Sequence, residues 1–445
     1  MNEPANRNRR FRGVAWVLVY LGLVALPLVV LMLGPVPKGG GYLWDFAMAL
    51  GFGGLAMMAL QSALTARFRR ATAPFGIDIL YYFHRWAAVA AMGLVLAHYL
   101  ILRFCYPGAV GPANPLVASW PMTAGRAALL LFGILIVTSV LRKQMGIEYD
   151  RWRAWHAILA VAAVLLAVAH IWNVGYYTKA AWRGIVWVSY MALWVLVIGY
   201  VRAVRPVMLR RTPYRVTEVK PERGRSWTLT VRPEGHRGIS FRPGQFAWLT
   251  IGVSPFRAKE HPFSISSSAV NGAELQFTIK ELGDFTRTIR HVTPGALAYV
   301  DGPHGIFTTD EHPAAAGFVF LAGGIGIAPI MSMLRTLADR GDPRPLRLVY
   351  GNRCWDNVVF REEIDALKSR VDLTVVHVLQ EVPPDWLGSH GVLGESNVRR
   401  ALWGTPGNAV YFVCGPKPMC DSVQRTLRKL GVPMRRVRCE LFDMA

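Results

Sequence analysis

The sequence is poor in cysteine and in acidic residues, and both shortages narrow what the chain does. Its five cysteines form no metal-binding pattern, so no structural zinc site is expected. Four of them, Cys354, Cys414, Cys420 and Cys439, lie in the half that is predicted below to be cytoplasmic, where thiols stay reduced, so no disulfide framework is expected either. The 28 acidic residues are outnumbered by 50 lysines and arginines, which gives a formal net charge of +22. Such an excess raises nucleic acid as a partner, but the positions of the basic residues argue against it.

Long apolar runs are lacking after about residue 205, whereas six lie before it, near 14–33, 43–66, 78–102, 122–141, 155–172 and 184–201. Each can cross a hydrocarbon core of about 30 Å at about 1.5 Å per residue. The first is interpreted as a retained helix because it has full spanning length and no obvious small-residue cleavage site. The sequence therefore predicts an all-α six-helix transmembrane bundle over residues 1–205.

Basic residues concentrate in alternate loops of this bundle. The rich loops contain Arg7, Arg9, Arg10 and Arg12, then Arg67, Arg69 and Arg70, then Arg142, Lys143, Arg151 and Arg153, then Arg202, Arg205, Arg210 and Arg211. The intervening loops contain Lys38, Arg103, Lys179 and Arg183. The positive-inside rule then predicts a multi-pass protein of the cell (inner) membrane, with the N-terminus and everything after residue 205 in the cytoplasm. No nucleic-acid partner is expected.

The third and fifth apolar runs each carry two histidines fourteen residues apart, His84 with His98 and His156 with His170. Fourteen residues fall about 40° short of four helical turns, so each pair shares a helix face. An ionisable group in hydrocarbon is costly without a partner, and a neutral imidazole is a good haem ligand. Side chains of similar depth, His84 with His156 and His98 with His170, therefore predict two b-type haems about 21 Å apart along the helix axis.

Two histidines per iron fill both axial positions, which favours electron transfer over oxygen binding. The alternative is that each histidine is a buried side chain satisfied by a neighbouring carbonyl. Four arginines near the layers are candidates for pairing with haem propionates: Arg85, Arg103, Arg126 and Arg183. Side chains extending to the membrane interface explain Arg103 and Arg183 equally well.

After residue 205 the pattern changes to short strands separated by turns. The segments SWTLTV, FAWLTI, LQFTIK and LAYVDG predict a small antiparallel β-barrel over residues 206–312. An apolar strand FVFLAG, a glycine turn GGIGIAP and a helix then follow in the order found at dinucleotide phosphate sites. Together with further buried strands they predict a doubly wound α/β domain over residues 313–445. The fold class is thus a multi-domain membrane protein.

Three features of this half suggest cofactor contacts. The segment HPFSISS offers hydroxyls to a flavin ring, and GDFT offers backbone N–H groups and a hydroxyl to phosphate, although each also fits an ordinary strand or turn. The strand LRLVYGNR ends in Arg353 with no acidic residue at its tip. That ending suits a 2′-phosphate better than a free ribose diol, so it favours NADPH over NADH. The alternative is a surface arginine.

The ordered set of motifs resembles the ferric reductase and NADPH oxidase superfamily, in which a six-helix di-haem domain precedes a ferredoxin-NADP reductase-like module. The resemblance covers nearly the whole chain. It implies FAD, two haem b groups and NADPH (or NADH) as cofactors. It implies FAD contacts from the HPFSIS and GDFT segments, at His261, Pro262, Phe263, Ser264, Gly283 and Thr286.

The same resemblance assigns the nucleotide side. The GGIGIAP segment implies contacts of Gly323, Gly324, Gly326 and Pro329 with the dinucleotide. The CGPKPM segment implies that Cys414, Gly415 and Pro416 lie beside the nicotinamide. Such reductases end in an E-x-aromatic motif that covers the flavin, here Glu440 and Phe442. Ser264, Cys414 and Phe442 are the expected catalytic residues.

The resemblance implies electron transfer from cytoplasmic NAD(P)H through FAD and the haems to an extracytoplasmic acceptor, oxygen or a ferric chelate. Animal oxidases that make superoxide carry a further histidine four residues after the outer ligand of the third helix, where this chain has Leu102. That difference lowers the case for dedicated superoxide production. The alternatives are a donor to a periplasmic partner protein, a membrane-anchored flavin reductase with structural histidines, and a haem sensor.

Overall fold

The computed structural model describes residues 3–33, 40–68, 75–257, 259–270 and 272–441. The chain divides into two compact units, Glu3–Val204 and Arg205–Ala445. The first unit is helical, and the second contains two β-sheets.

Six long helices form the first unit: α1 (Glu3–Met32), α2 (Tyr42–Thr65), α3 (Ile77–Cys105), α4 (Trp120–Val140), α5 (Tyr149–Val174) and α6 (Ala181–Gly199). All six are long and apolar enough to cross a membrane. They confirm the predicted all-α bundle of a multi-pass membrane protein. Helix α1 begins well before its apolar run because the arginine-rich segment continues the same helix, and a π-helical turn (Tyr200–Val204) follows α6.

The histidine-bearing helices each pack along one neighbour, α3 along α2 and α5 along α4. Small residues allow the close approach of α2 and α3. A Cβ on Gly54 would lie 2.7 Å from Val95 Cγ2 and 3.0 Å from the Ala91 carbonyl oxygen. Inside a membrane the hydrophobic effect does not drive helices together, so small residues at the contact favour packing by letting the two backbones approach closely. These two helix pairs position the four histidines.

The second unit begins with a short helix, α7 (Arg205–Arg210), and a six-stranded antiparallel sheet. Its strands are β1 (Tyr214–Glu222), β2 (Ser226–Pro233), β3 (Phe246–Ile251), β4 (His261–Ser264), β5 (Leu275–Lys280) and β6 (Leu297–His304), and α8 (Asp284–Thr288) follows β5. Their spatial order is β4-β3-β6-β1-β2-β5. A bridge between Ile265 and Phe277 links the two edges, which gives the predicted barrel.

The remaining elements form a six-stranded parallel sheet with helical connections. They are β7 (Phe318–Gly323), α9 (Ile327–Asp339), β8 (Leu346–Asn352), α10 (Arg361–Leu367), β9 (Leu373–Leu379), β10 (Ser389–His390), α11 (Glu395–Ala401), β11 (Val410–Gly415), α12 (Lys417–Lys429) and β12 (Val437–Leu441). The order β10-β9-β8-β7-β11-β12 reverses between β7 and β11. The reversal confirms a doubly wound sheet, and ligands bind at such a switch point.

Helix α9 joins the barrel to the parallel sheet. The Ser332 hydroxyl donates to the Ser267 carbonyl oxygen at 2.7 Å, and the Ala269 amide donates to Thr336 Oγ1 at 2.9 Å. The Arg335 guanidinium donates to the Ser266 carbonyl oxygen at 2.6 Å. These bonds fix α9 against residues 266–269, the segment that follows β4.

Candidate functional site

The four membrane histidines form two layers. His84 and His98 lie on α3, and His156 and His170 lie on α5. His84 is close enough to His156 for their charges to interact, and His98 is likewise close to His170. His84 with His156 is named here the first layer, and His98 with His170 the second layer.

A backbone carbonyl on the neighbouring helix orients each histidine of the second layer. His98 Nδ1 lies 2.8 Å from the Ala47 oxygen on α2, and His170 Nδ1 lies 2.7 Å from the Pro121 oxygen on α4. A carbonyl oxygen only accepts, so each Nδ1 carries the proton and donates it. Each Nε2 therefore keeps its lone pair, which is the form of imidazole that binds a metal.

Two glycines make these hydrogen bonds sterically possible. Gly51 and Gly125 each follow the accepting carbonyl by four residues. A Cβ on Gly51 would lie 2.9 Å from His98 Nδ1, and a Cβ on Gly125 would lie 2.8 Å from His170 Nδ1. The missing side chains thus let the imidazole rings lie directly against the helix backbone.

The first layer is held differently. Ser139 Oγ lies 3.3 Å from His156 Nδ1 while it donates to the Leu135 carbonyl oxygen at 2.5 Å. His84 faces the Gln61 carbonyl, but the geometry falls short of a hydrogen bond, and its Nδ1 has no hydrogen-bond partner among the described residues. The imidazoles of this layer are therefore more weakly hydrogen-bonded.

This arrangement fits haem with two axial histidines. Along the described residues, α3 and α5 do not pack closely on each other, which leaves room between the paired imidazoles. Haem needs only the two ligands that each layer supplies. Within the described ranges, no group of three or more His, Cys, Asp or Glu side chains forms a metal site.

Two of the arginines near the layers are engaged by the protein itself. Arg126 donates to the Val110 oxygen at 2.8 Å and to the Pro112 oxygen at 2.7 Å. Arg183 is buried, donates to the Leu33 oxygen at 3.3 Å and lies over the Trp182 ring. These contacts weaken both as partners for a propionate, whereas Arg85 and Arg103 are exposed.

The HPFS segment forms β4 and offers a free buried hydroxyl. Ser264 is 6% exposed, and its Oγ has no hydrogen-bond partner among the described residues. The His261 and Phe263 rings both stack on Phe285, with centroids 3.8 and 6.0 Å apart. Pro262 lies between them on the strand. A buried unsatisfied hydroxyl costs free energy until a ligand bonds it, so this segment fits a flavin ring.

The GDFT segment caps its own helix. The amides of Leu282 and Gly283 both donate to Thr286 Oγ1 at 2.8 Å. The hydroxyl in turn donates to the Gly283 carbonyl oxygen at 2.9 Å. These two amides and the hydroxyl, which the sequence offered to phosphate, are thus bonded to each other.

The two predicted nucleotide motifs meet at the switch point, one after β7 and the other after β11. A Cβ on Gly326 would clash with the Cys414 carbonyl, and one on Gly323 would lie 3.1 Å from Pro416 Cδ. A Cβ on Gly415 would lie 3.1 Å from the Gly323 nitrogen. These glycines therefore let the two turns contact each other. Gly324 has φ +52° and open space beside it, and Pro329 is buried in the first turn of α9.

The predicted nicotinamide cysteine is fully buried. Burial raises the pKa of the Cys414 thiol well above its ordinary value, and the Glu440 carboxylate acts in the same direction. The thiol is therefore protonated at neutral pH and does not serve as a thiolate nucleophile. Glu440 lies on β12, and Phe442 lies outside the described residues.

An acidic residue of the neighbouring strand lies beside the β8 tip. Arg353 Nε donates to Glu381 Oε1 at 2.8 Å. Strand β8 itself has no acidic residue at its tip, as the sequence indicated, but Glu381 follows β9, and the parallel register brings both strand ends together. Gly51, Gly125 and Ser139 were not predicted, although Gly125 and Ser139 are separated by the same fourteen residues as the histidines.

Comparisons with known proteins give one family for each part of the chain. Residues 50–168 match the ferric reductase like transmembrane component. Residues 226–305 match an FAD-binding domain, and residues 320–425 match an oxidoreductase NAD-binding domain.

Individual relatives match about half of the chain. The reductase component of propane 2-monooxygenase from Rhodococcus jostii is 29% identical over 51% of this chain and 62% of its own length. Ferredoxin-NADP reductase B from Sorangium cellulosum is 29% identical over 53% of this chain and 100% of its own. The ferredoxin reductase component of 3-ketosteroid-9-alpha-monooxygenase from Rhodococcus rhodochrous is 30% identical over 49% and 61%.

The chain thus spans less than two thirds of the length of the two monooxygenase components. The family matches nevertheless occur in the order that the sequence motifs predict. The chain therefore joins a ferric reductase-like transmembrane component to an FAD-binding domain and an oxidoreductase NAD-binding domain, which is the arrangement of the ferric reductase and NADPH oxidase superfamily that it resembles.

Proposed function

We propose that this protein passes electrons from NAD(P)H through FAD and two b-type haems to an acceptor on the other side of a membrane. The observation that carries the proposal is the second layer, where both imidazoles donate from Nδ1 and keep Nε2 for a metal. When bound, FAD turns a two-electron hydride into single electrons, and bis-histidine haem carries them one at a time.

The soluble residues take the roles that the motifs imply. When the cofactors are bound, Ser264 would bond the flavin ring, Cys414 would lie beside the nicotinamide as a neutral thiol, and Phe442 would cover the flavin. The corresponding domains are 1–205 for the haems, 206–312 for FAD and 313–445 for the nucleotide. NADPH is the proposed donor, with NADH as the alternative.

The proposed orientation places the N-terminus and both cofactor domains in the cytoplasm, and the membrane is the inner one. The support is the excess of lysine and arginine in alternate loops. Each electron that moves outward is then favoured by about 2.3 kcal/mol per 100 mV of membrane potential. In this orientation the first layer is the inner one.

The proposed acceptor is oxygen or a ferric chelate. Leu102, which is buried near the second layer, stands where animal superoxide producers have histidine, so it weakens the case for dedicated superoxide production. A periplasmic electron-carrier protein is the third acceptor class.

A reduced-minus-oxidised spectrum with a pyridine-haem count on the purified full-length protein tests the proposal. Two b-type haems per chain are expected, falling to one in His98→Leu. The exposed His390→Leu is the matched control and should keep both. Flavin-loaded protein without haem would overturn the proposal and leave a membrane-anchored flavin reductase.

A further inference from the structure

The helices that support the histidines repeat the fourteen-residue interval. Beside the second layer, the paired positions are Ala47 with Gly51 on α2 and Pro121 with Gly125 on α4. Fourteen residues later on the same helices, beside the first layer, they are Gln61 with Thr65 on α2 and Leu135 with Ser139 on α4. In every case a glycine or a hydroxyl residue follows the carbonyl residue by four positions, and Gly51, Gly125 and Ser139 lie beside an imidazole. The two layers are thus built on one pattern and differ at that last position.

The difference is glycine in the second layer and a hydroxyl residue in the first. Ser139 Oγ donates to the Leu135 carbonyl oxygen at 2.5 Å, and Thr65 Oγ1 lies 3.3 Å from the Ser62 oxygen and 3.4 Å from the Gln61 oxygen. The Ser139 hydroxyl therefore bonds the carbonyl at the position where a carbonyl of the second layer accepts from a histidine. Because α2 and α4 show the same exchange separately, the difference belongs to the layers and not to one helix.

We propose that these four positions, Gly51, Gly125, Thr65 and Ser139, give the two layers unequal reduction potentials, with the second layer lower. The inference rests on the proposed haem ligation. An imidazole that donates strongly from Nδ1 is a more basic ligand and stabilises ferric iron. In the second layer both imidazoles donate to carbonyl oxygens at 2.7–2.8 Å, whereas His156 meets only a hydroxyl at 3.3 Å.

The unequal potentials also restrict the class of electron acceptor that the protein suits. In the proposed orientation the more reducing layer is the outer one, so it suits acceptors of low potential. The membrane potential favours outward movement of the electron and so acts against the unfavourable step between the layers. The four residues are positioning residues, since they act through the histidines.

Redox potentiometry on purified full-length variants tests this inference at Ser139. Ser139→Ala removes the hydroxyl that His156 meets, but keeps the Cβ that holds the imidazole away from the Leu135 carbonyl. His156 then has no acceptor for its Nδ1 proton, so the reduction potential of the first layer should rise. Ser139→Gly copies the second layer and frees that carbonyl for His156, so the same potential should fall. Thr138→Ala is the matched control, because Thr138 Oγ1 also lies 3.2 Å from the Leu135 oxygen and bonds no histidine among the described residues. It should leave both potentials unchanged.

Combination with His98→Leu identifies the layers, since one haem then remains. The remaining haem should be the one of higher potential, and the two Ser139 variants should still move it in opposite directions. The inference is overturned if the remaining haem has the lower potential, or if both variants shift it the same way or not at all. Absence of haem from the wild-type protein would instead overturn the proposed function, so the two failures are distinguishable.

Discussion

At the scale of single residues, Arg353 and Glu381 form an exposed ion pair at the place where the proposed function puts the ribose of the nucleotide. The two side chains are 72% and 59% exposed, and they lie 2.8 Å apart at neighbouring strand ends. Exposed pairs contribute about 0–1 kcal/mol, so a 2′-phosphate can displace the carboxylate at little cost. Glu381 can equally accept from a free ribose diol. Arg353 can therefore pair with the 2′-phosphate of NADPH, and Glu381 can accept from the ribose diol of NADH.

Exchange of these charges should move nucleotide preference in opposite directions. Arg353→Glu removes the cation that pairs with a 2′-phosphate and should lower the kcat/KM ratio of NADPH to NADH by about tenfold, or about 1.4 kcal/mol. Glu381→Gln should raise that ratio. Steady-state dye reduction with both nucleotides measures it, and Arg370→Glu, which breaks another exposed ion pair, is the control. An unchanged ratio in both variants would contradict the NADPH assignment.

His377 should make the reductase half sensitive to acid. Its ring lies on β9 between Tyr350 and Trp355, and desolvation lowers its pKa from 6.5 to about 4. The unfolded chain binds a proton at higher pH than the folded chain, so stability is lost as the pH falls from about 6.5 to 4. The loss amounts to at most about 3 kcal/mol.

Unfolding temperatures read from flavin fluorescence between pH 7 and pH 4 test this expectation. His377→Gln removes the titrating ring and should flatten the pH dependence in that window. His291→Gln, at an exposed histidine, should keep the wild-type slope. Equal slopes for all three proteins would show that other groups cause the acid sensitivity.

At the scale of secondary-structure elements, one arginine of α9, Arg335, bonds both the barrel and helix α10. Arg335 donates to the Ser266 carbonyl oxygen at 2.6 Å and to Gln276 Oε1 at 2.9 Å, both in the barrel. The same guanidinium holds Glu363 of α10 at 2.6 and 2.7 Å. Arg335 therefore ties the segment after β4 and strand β5 to α9 and α10.

Arg335→Met should separate these elements. Loss of a part-buried charged network costs about 2 kcal/mol, which lowers the unfolding temperature by roughly 4–8 °C in a unit of this size. Thermal release of FAD from the full-length protein measures the change. Arg340→Met, which breaks the more exposed pair with Asp310 just after the same helix, should shift it by much less. Equal shifts would mean that the barrel contacts of Arg335 add nothing.

The regular elements could be predicted because their signals are local. Six apolar runs gave the six helices, and SWTLTV or FAWLTI gave β2 and β3 through short-range patterning. What escaped prediction depends on contacts between distant segments. Glu381 reaches Arg353 only through the pairing of β8 with β9, and the Arg126 contacts with the 110–112 loop need the folded bundle. The spacing of Gly51, Gly125 and Ser139 can be interpreted only once the helix that each faces is known.

At the scale of the whole molecule, the proposed electron path crosses the membrane and so has a direction. In proteoliposomes NADPH stays outside, and an impermeant ferric chelate can be trapped inside. Molecules with the nucleotide domain outward should reduce the trapped chelate, and His98→Leu should abolish that reaction while external dye reduction continues. Equal reduction of the trapped chelate by wild type and His98→Leu would contradict transfer through the second layer.

The shared fourteen-residue interval also fixes the distance between the two layers. Both layers lie on the same two uninterrupted helices, α3 and α5, so helix geometry, and not the docking of separate parts, sets the separation of the proposed haem sites. One residue inserted between His84 and His98 would turn one imidazole about 100° away from the other. Such insertions would have to occur together in α2, α3, α4 and α5, whereas the connecting loops are free to vary in length.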